Sequence, residues 1–176
     1  MSDACGMSAA AERTTGGRSG HFRSRSRTVM LGGAALLAAT DLVSKWVAER
    51  NLTVGESLGL GPLDIRLFYN TGVAFSLGAS LPPWTVAAAT GLIIAALSWF
   101  LLASEPAMTG LSRTGAALLL GGALGNFIDR LDGRGVVDFL HSGWFPTFNL
   151  ADVLVTAGAA LMVLGAFRRQ PEENPE

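Results

Sequence analysis

Four aspartates stand where a carboxylate could do chemistry: Asp41, Asp129, Asp138 and Asp152. Asp138 lies within the β-branched and aromatic run 136–140, which contains no cation, and apolar surroundings favour the neutral acid. Asp152 follows Asn149 at the start of an apolar segment, where a helix N-terminus stabilises an ionised carboxylate. One protonated and one ionised carboxylate form the pair that an aspartyl hydrolase uses to donate a proton and to activate water.

Three of these aspartates also have a purely structural explanation. Asn149 and Asp152 form an Asn-x-x-Asp capping arrangement that needs no catalysis. Asp138 fits a surface position that alternates with apolar neighbours on a short strand. Asp41 and Lys45 lie one helical turn apart, so an internal ion pair explains both. In the functional alternative, that pair braces the outer loops or the substrate near the membrane interface.

Asp129 belongs to the segment 125–130, at the end of an apolar stretch. An i,i+3 spacing places Asn126 and Asp129 on one helix face. Arg130 is the next residue, and pairing with it would keep Asp129 ionised. That charge state suits an orienting role better than proton donation.

Other site chemistries receive little support. Cys5 is the single cysteine, and the two histidines, His21 and His141, are far apart in sequence. No serine elbow or phosphate-binding Gly-Lys-Ser/Thr motif is present, and a carboxylate metal site stays open without positive support. A net charge of -1 gives no case for nucleic-acid binding.

Composition indicates that a membrane must hold these residues. The chain of 176 residues is 49% hydrophobic and 15% charged, contains 22 glycines, and has a mean hydropathy of +0.39. A helix needs ~20 apolar residues to cross ~30 Å of hydrocarbon. Segments of about that length predict transmembrane helices over 28–48, 84–104, 114–131 and 151–167. Three glycines in the third segment are interpreted as helix-packing positions: Gly121, Gly122 and Gly125.

Basic residues predict the orientation of these segments. Residues 1–27 read as a disordered basic tail, and residues 169–176 as a second tail. Both tails and the short loop 105–113 carry arginines, so that side should be cytoplasmic. The loops 49–83 and 129–150 then face outward, and the runs 64–69 and 73–76 suggest short strands there. The predicted fold is a mainly α membrane protein with four transmembrane helices, in domain 28–168, and a small outward-facing β-sheet.

An ordered set of motifs closely resembles the lipoprotein signal peptidases, the bacterial type II signal peptidases. The motifs are Asp41-x-x-x-Lys45, Asn70-Thr71-Gly72-Val73-Ala74-Phe75, Gly125-Asn126-Phe127-Ile128-Asp129-Arg130, Val136-Val137-Asp138-Phe139 and Phe148-Asn149-Leu150-Ala151-Asp152. Together they cover about residues 30–167. Many members have alanine at the position of Val73, which is a small apolar change. The arginine-rich tail lies outside the core that the family shares.

The resemblance implies a membrane aspartyl peptidase without a metal or organic cofactor. Its substrate would be a prolipoprotein that carries diacylglycerol on a cysteine, cut just before that cysteine at the outer face of the bacterial inner membrane. The family pattern places the catalytic dyad on Asp138 and Asp152. The positions expected to bind substrate or support the site are Asp41, Lys45, Asn70, Gly72, Asn126, Asp129, Arg130, Asn149 and Ala151, with Asn70 and Arg130 favoured as substrate contacts. Membrane lipids are the other expected partner.

Two different functions remain as alternatives. A small proton- or cation-coupled transporter would also place acids and a lysine in membrane helices, but it predicts acids near the midplane and an internal repeat. The acids here cluster at segment ends and in outward loops, and the two halves show no convincing repeat. A non-catalytic scaffold would leave the acid and asparagine clusters without a common purpose.

Overall fold

The computed structural model describes residues 16–55, 57–59, 61, 63–72 and 80–168. Four helices form within these residues: α1 (Gly16–Asn51), α2 (Pro83–Ser104), α3 (Gly110–Arg130) and α4 (Leu150–Phe167). A short 3-10 turn at Glu105–Ala107 links α2 to α3. The strands are β1 (Ser57–Gly59), β2 (Asp64–Asn70) and β3 (Val136–His141). The chain is therefore mainly helical with a small sheet, as the sequence predicts.

Helix α3 occupies the centre of the bundle, between α1 and α4. Small residues make this possible, because its buried face consists of Ser112, Gly115, Ala116, Leu120, Gly121, Gly122 and Gly125. A Cβ atom on Gly121 would lie 2.8 Å from the carbonyl oxygen of Ala34 in α1. One on Gly122 would collide with the carbonyl oxygen of Ala151 in α4. The prediction that these glycines are packing positions is confirmed.

Apolar side chains fill the space between α1, α2 and α3. The buried cluster consists of Met30, Ala34, Ile94, Leu101, Ala116 and Leu120. Large apolar side chains on the outer faces of the helices are exposed instead, among them Leu92, Trp99 and Val163. An apolar exterior around an apolar core is expected of helices that are solvated by lipid.

Three helical stretches are long and apolar enough to cross a membrane: Arg25–Asn51, Pro83–Ala107 and Leu150–Phe167. Within the described residues α3 does not qualify, so the predicted count of four transmembrane helices is not confirmed by length and composition. The central position of α3 explains the difference. More of its residues are buried than in α2 or α4, and the glycines that allow this close packing lower its hydropathy.

Helix α1 begins before the predicted start of the membrane segment. It is already helical at Gly16, which corrects the expectation of a disordered tail as far as residue 27. Extending a helix that is already formed adds one hydrogen bond per residue without a new nucleation step. Residues 1–15 and 169–176 lie outside the described residues, as does the strand expected at 73–76.

The sheet is antiparallel with strand order β1-β2-β3, and it lies at the end of the bundle where α1 and α3 finish and α2 and α4 begin. The strand predicted at 64–69 is confirmed as β2. In the β2-β3 register, Phe68 faces Asp138 and Asn70 faces Val136. This register brings the end of β2 beside Asp138.

We expect Gly158→Ala to destabilise the protein by about 1 to 3 kcal/mol, the usual effect of overpacking a tight interface. The new methyl group would lie 2.5 Å from the backbone nitrogen of Leu119 and 2.6 Å from the carbonyl oxygen of Gly115, so α3 and α4 must separate. Thermal unfolding in one detergent measures the effect as a lower Tm.

Gly32→Ala is the matched control, because nothing lies within 4 Å of the added methyl group. Alanine in a helix interior is more stable than glycine by about 0.5 to 1 kcal/mol, so this variant should have an equal or higher Tm. A Tm equal to that of the wild type for Gly158→Ala would contradict the close packing of α3 and α4.

Candidate active site

Asp138 lies in β3 and is only 2% exposed. The side-chain amide of Asn149 donates a hydrogen bond of 2.6 Å to its Oδ1 atom. The amide of Asn70, at the end of β2, donates one of 3.3 Å to its Oδ2 atom. Both carboxylate oxygens therefore face asparagine, and neither forms an ion pair within the described part of the chain.

Burial raises the pKa of Asp138 to about 7. The negative charge of Asp152 contributes to this rise in pKa, whereas the hydrogen bonds from Asn149 and Asn70 and the charge of Lys45 oppose it. The neutral acid is thus substantially populated at neutral pH, as the apolar sequence around Asp138 predicts.

Asp152 lies in the first turn of α4, and Asn149 is the N-cap. The Asn149 side chain accepts from the backbone N–H of Asp152 at 3.0 Å, and Asp152 Oδ2 accepts from the backbone N–H of Asn149 at 3.2 Å. The predicted capping arrangement is confirmed. Asn126 from α3 donates a further bond of 2.9 Å to Asp152 Oδ1. Capping and a second asparagine together fix the position of this carboxylate.

Asn149 connects the two acids. Its side-chain nitrogen donates to Asp138 and, at 3.1 Å, to the side-chain oxygen of Asn126, which in turn binds Asp152. The sequence marks Asn149 as a cap, and the structure shows that the same side chain also spans two elements. Asp138 and Asp152 are thereby brought into one hydrogen-bonded group.

Lys45 contacts this hydrogen-bonded group through Asn126 and is 2% exposed. Its ammonium is 2.7 Å from Asp41 Oδ2, so the predicted ion pair within α1 is confirmed. It also lies 2.9 Å from Asp129 Oδ2 and donates a hydrogen bond of 2.8 Å to Asn126 Oδ1. Asp41, Asp129 and Asn126 therefore all contact the ammonium of Lys45.

The cation that pairs with Asp129 is Lys45 and not its sequence neighbour Arg130. Successive residues of a helix point about 100° apart, which turns Arg130 away from its neighbour. Arg130 donates instead to the backbone carbonyl oxygens of Asn126, at 2.8 Å, and Gly72, at 2.9 Å. It joins α3 to the segment that follows β2.

Gly72 and Asn70 form a tight turn at that segment. Asn70 Oδ1 accepts from the backbone N–H of Gly72 at 3.1 Å, which turns the amide nitrogen of Asn70 toward Asp138. Gly135 has φ +97°, and a Cβ atom there would lie 2.5 Å from the carbonyl oxygen of Asn70. Glycine at 135 therefore lets β3 start directly beside Asn70.

Sequence reasoning did not identify two features of this region. The backbone N–H of Val137 donates to Asp129 Oδ2 at 3.2 Å. Glu49 at the end of α1 accepts from the hydroxyl of Tyr69, at 2.8 Å, and from Arg134, at 2.8 Å, which ties the sheet to the bundle. Val137 gives no signal because its contribution is a backbone group, and the Glu49 contacts join residues far apart in sequence.

The geometry suits acid–base chemistry. A carboxylic acid with a pKa of about 7 lies in one hydrogen-bonded group with a second carboxylate that is held by a helix cap. Such a pair can donate one proton and accept another at neutral pH. Among the described residues, no group of three or more His, Cys, Asp or Glu side chains is arranged to hold a metal ion.

Comparisons with known proteins agree with this chemistry. The family model described as signal peptidase (SPase) II matches residues 33–168. A lipoprotein signal peptidase of Pasteurella multocida is 35% identical over 88% of this chain and 99% of its own length. One from Neisseria meningitidis serogroup B is 37% identical over 86% of this chain and 96% of its own length.

Two solved structures, each described as a bacterial membrane enzyme, have the same fold. One, at 2.3 Å resolution, has a TM-score of 0.72 and 27% identity over 84% of this chain and 94% of its own. The other, at 1.9 Å resolution, has a TM-score of 0.65 and 28% identity over 81% of this chain and 94% of its own. The matches give no support to the transporter alternative, and the chain belongs to the signal peptidase II family of bacterial membrane peptidases.

Proposed function

We propose that this protein is an aspartyl endopeptidase that removes the signal peptide from diacylglyceryl-modified prolipoproteins, cutting just before the lipidated cysteine. Asp138 is the acid and Asp152 the base of the catalytic dyad. The observation that carries this assignment is the raised pKa of Asp138 within the group of asparagines that also binds Asp152. The names of the relatives support the substrate.

The reaction follows from these two protonation states. Asp152 takes a proton from a water molecule as its oxygen attacks the carbonyl carbon of the residue before the cysteine. Asp138 gives its proton to the carbonyl oxygen, which forms a neutral tetrahedral diol. Asp152 then passes its proton to the amide nitrogen, the C–N bond breaks, and Asp138 recovers a proton from the diol. The dyad thus returns to its starting state.

The other residues of the site divide into two sets. We assign Asn70, Gly72 and Arg130 to substrate contact and to the placement of the segment after β2, because Arg130 binds Gly72 and Asn70 faces the acid. The remaining residues support the positions of the two dyad aspartates: Asp41, Lys45, Asn126, Asp129, Asn149 and Ala151. The exposed apolar side chains on the outer faces of α2 and α4 support the approach of an acylated substrate from lipid.

We infer that all four helices cross the membrane and that the dyad lies at the outer face. A helix of 21 residues, as in α3, spans about 30 Å, and α3 packs between two apolar helices. Arg27, Arg113 and Arg168 lie at the end of the bundle opposite the dyad, which assigns that end and both tails outside 28–168 to the cytoplasm. The sheet then rests on the outer surface.

Replacing either acid should abolish cleavage. We expect Asp138→Asn and Asp152→Asn each to lower kcat by about 100-fold to 10,000-fold, since each variant removes one proton-transfer group. Purified protein and a diacylglyceryl-modified prolipoprotein, followed by the release of signal peptide, provide the measurement. Asp132→Asn is the matched control, because Asp132 is a partly exposed partner of Arg134 and touches neither acid. Turnover near that of the wild type in a folded variant of either acid would overturn the dyad.

The pH dependence tests which acid is the proton donor. Because Asp138 must carry its proton, and kcat/KM reports groups of the free enzyme, kcat/KM should fall as the pH rises through about 7. Asn70→Ala removes a hydrogen bond that lowers the pKa of Asp138, so this fall should move to higher pH. Measurements between about pH 5 and 9 cover the range.

Thr147→Val is the control for the pH profile. It removes the hydroxyl that accepts from Arg66 at 2.9 Å, at the edge of the sheet, without touching Asp138. Its profile should match that of the wild type. A fall that moves to lower pH in Asn70→Ala would assign the titrating group to a residue other than Asp138.

A further inference from the structure

The ammonium of Lys45 contacts the dyad only through other groups. Its three acceptors are Asp41 Oδ2, Asp129 Oδ2 and Asn126 Oδ1, at 2.7, 2.9 and 2.8 Å. The contact with Asn126 is a hydrogen bond, and the contacts with the two carboxylates are ion pairs. The acceptors come from α1 and α3, whereas the two acids lie on β3 and α4.

Each carboxylate that binds Lys45 also accepts from a backbone N–H directly before a catalytic aspartate. Asp129 Oδ2 accepts from Val137, the residue before Asp138, at 3.2 Å. Asp41 Oδ1 accepts from Ala151, the residue before Asp152, at 2.8 Å. The segments that end at Asp138 and Asp152 are thus each linked to Lys45 through one carboxylate.

The third acceptor reaches Asp152 through a side chain. Because the oxygen of the Asn126 amide faces the ammonium, its nitrogen faces Asp152 Oδ1, at 2.9 Å. An amide rotated by 180° would direct its N–H groups at Lys45, which has no lone pair to accept them. Lys45 therefore also fixes the orientation of the Asn126 amide.

We propose that Lys45 is a positioning residue that sets the relative placement of the two catalytic aspartates through the backbone amides of Val137 and Ala151. The inference rests on the proposed function, which assigns the dyad. Without the ammonium, the carboxylates of Asp41 and Asp129 repel each other, and the two segments they hold move apart. The chemical step is sensitive to such a displacement, while binding of the long apolar substrate depends on surfaces elsewhere.

Gly125 supports this role of Lys45. A Cβ atom at Gly125 would collide with Asp41 Oδ2, the oxygen that binds the ammonium. Glycine at this position lets the Asp41 carboxylate lie directly against α3, beside Asn126 and within reach of Asp129 through Lys45. The three acceptors can therefore converge on one ammonium.

The first test separates turnover from binding. We expect Lys45→Met to lower kcat by about 100-fold, the effect of a displacement of about 1 Å at the reacting groups, with KM changed less than about threefold. Glu105→Gln is the matched control, since Glu105 is 1% exposed and pairs with Arg27 and Arg113 at the opposite end of the bundle. That variant also removes the charge of a buried carboxylate from its ion pairs, yet its kcat should stay within about threefold of wild type. An equal kcat loss in both variants, or none in Lys45→Met, would overturn the inference.

The second test measures how firmly the two backbone amides are held, without measuring turnover. Hydrogen exchange of the Val137 and Ala151 amides should become at least about tenfold faster in Lys45→Met, because both lose a fixed acceptor. The amide of Ser112 is the control, since it donates to the Thr109 side chain at 3.1 Å, far from Lys45. Unchanged exchange at Val137 and Ala151 refutes the role of Lys45 even if the wild type cleaves prolipoprotein. Wild-type protein that does not cleave refutes the proposed function alone.

Lys45→Met leaves two carboxylates without their cation, and this could prevent folding. A third variant therefore removes all three charges. Asp41→Asn/Lys45→Met/Asp129→Asn carries no charge at this place and keeps an oxygen acceptor for each amide. We expect it to fold, with kcat lowered by about tenfold or more, since neutral acceptors bind the amides more weakly and nothing joins them. A kcat within about threefold of wild type would show that the ammonium is dispensable.

Discussion

The structure depends on one buried cation shared by a fully buried carboxylate, Asp41, and a half-buried one, Asp129. Asp41 is fully buried and Lys45 nearly so, in a helix that is long and apolar enough to cross a membrane. An unpaired charge there is strongly unfavourable, so the three charges must stay together once the helices have packed. The ion pair within α1 could form in an isolated helix, but the contact of Lys45 with Asp129 requires α3 in place. The charges thus specify one arrangement of α1 and α3.

Packing and charge specify the same arrangement. Helix α3 approaches α1 and α4 through glycines, and this close approach lets Asp41 reach the amide of Ala151 across the bundle. A larger residue at Gly122 or Gly125 would separate the helices and break these polar contacts. The same glycines reduce the hydropathy of α3, so this helix, which contributes Asn126 and Asp129 to the site, is less apolar than α2 and α4.

The sequence predicted the features that depend on residues close together along the chain. The i,i+4 pair of Asp41 and Lys45, the cap at Asn149 and the strand at 64–69 each depend on neighbours along the chain, and each is confirmed. The partner of Asp129 could not be predicted in this way. Sequence adjacency favours Arg130, but helix geometry turns that side chain away, and the true partner lies on another helix. The backbone donors at Val137 and Ala151 carry no side-chain signal at all.

The two proposed catalytic acids differ because their surroundings differ. Asp138 is buried on a strand and receives its hydrogen bonds from neutral amides, so burial dominates and its pKa rises to about 7. Asp152 lies in the first turn of α4, where its Oδ2 atom accepts from the backbone N–H of the N-cap Asn149. Asn149 binds both, so a single side chain couples the strand to the helix cap. A symmetric environment would give two equivalent carboxylates. The raised pKa of Asp138 supports its proposed role as the proton donor of the pair.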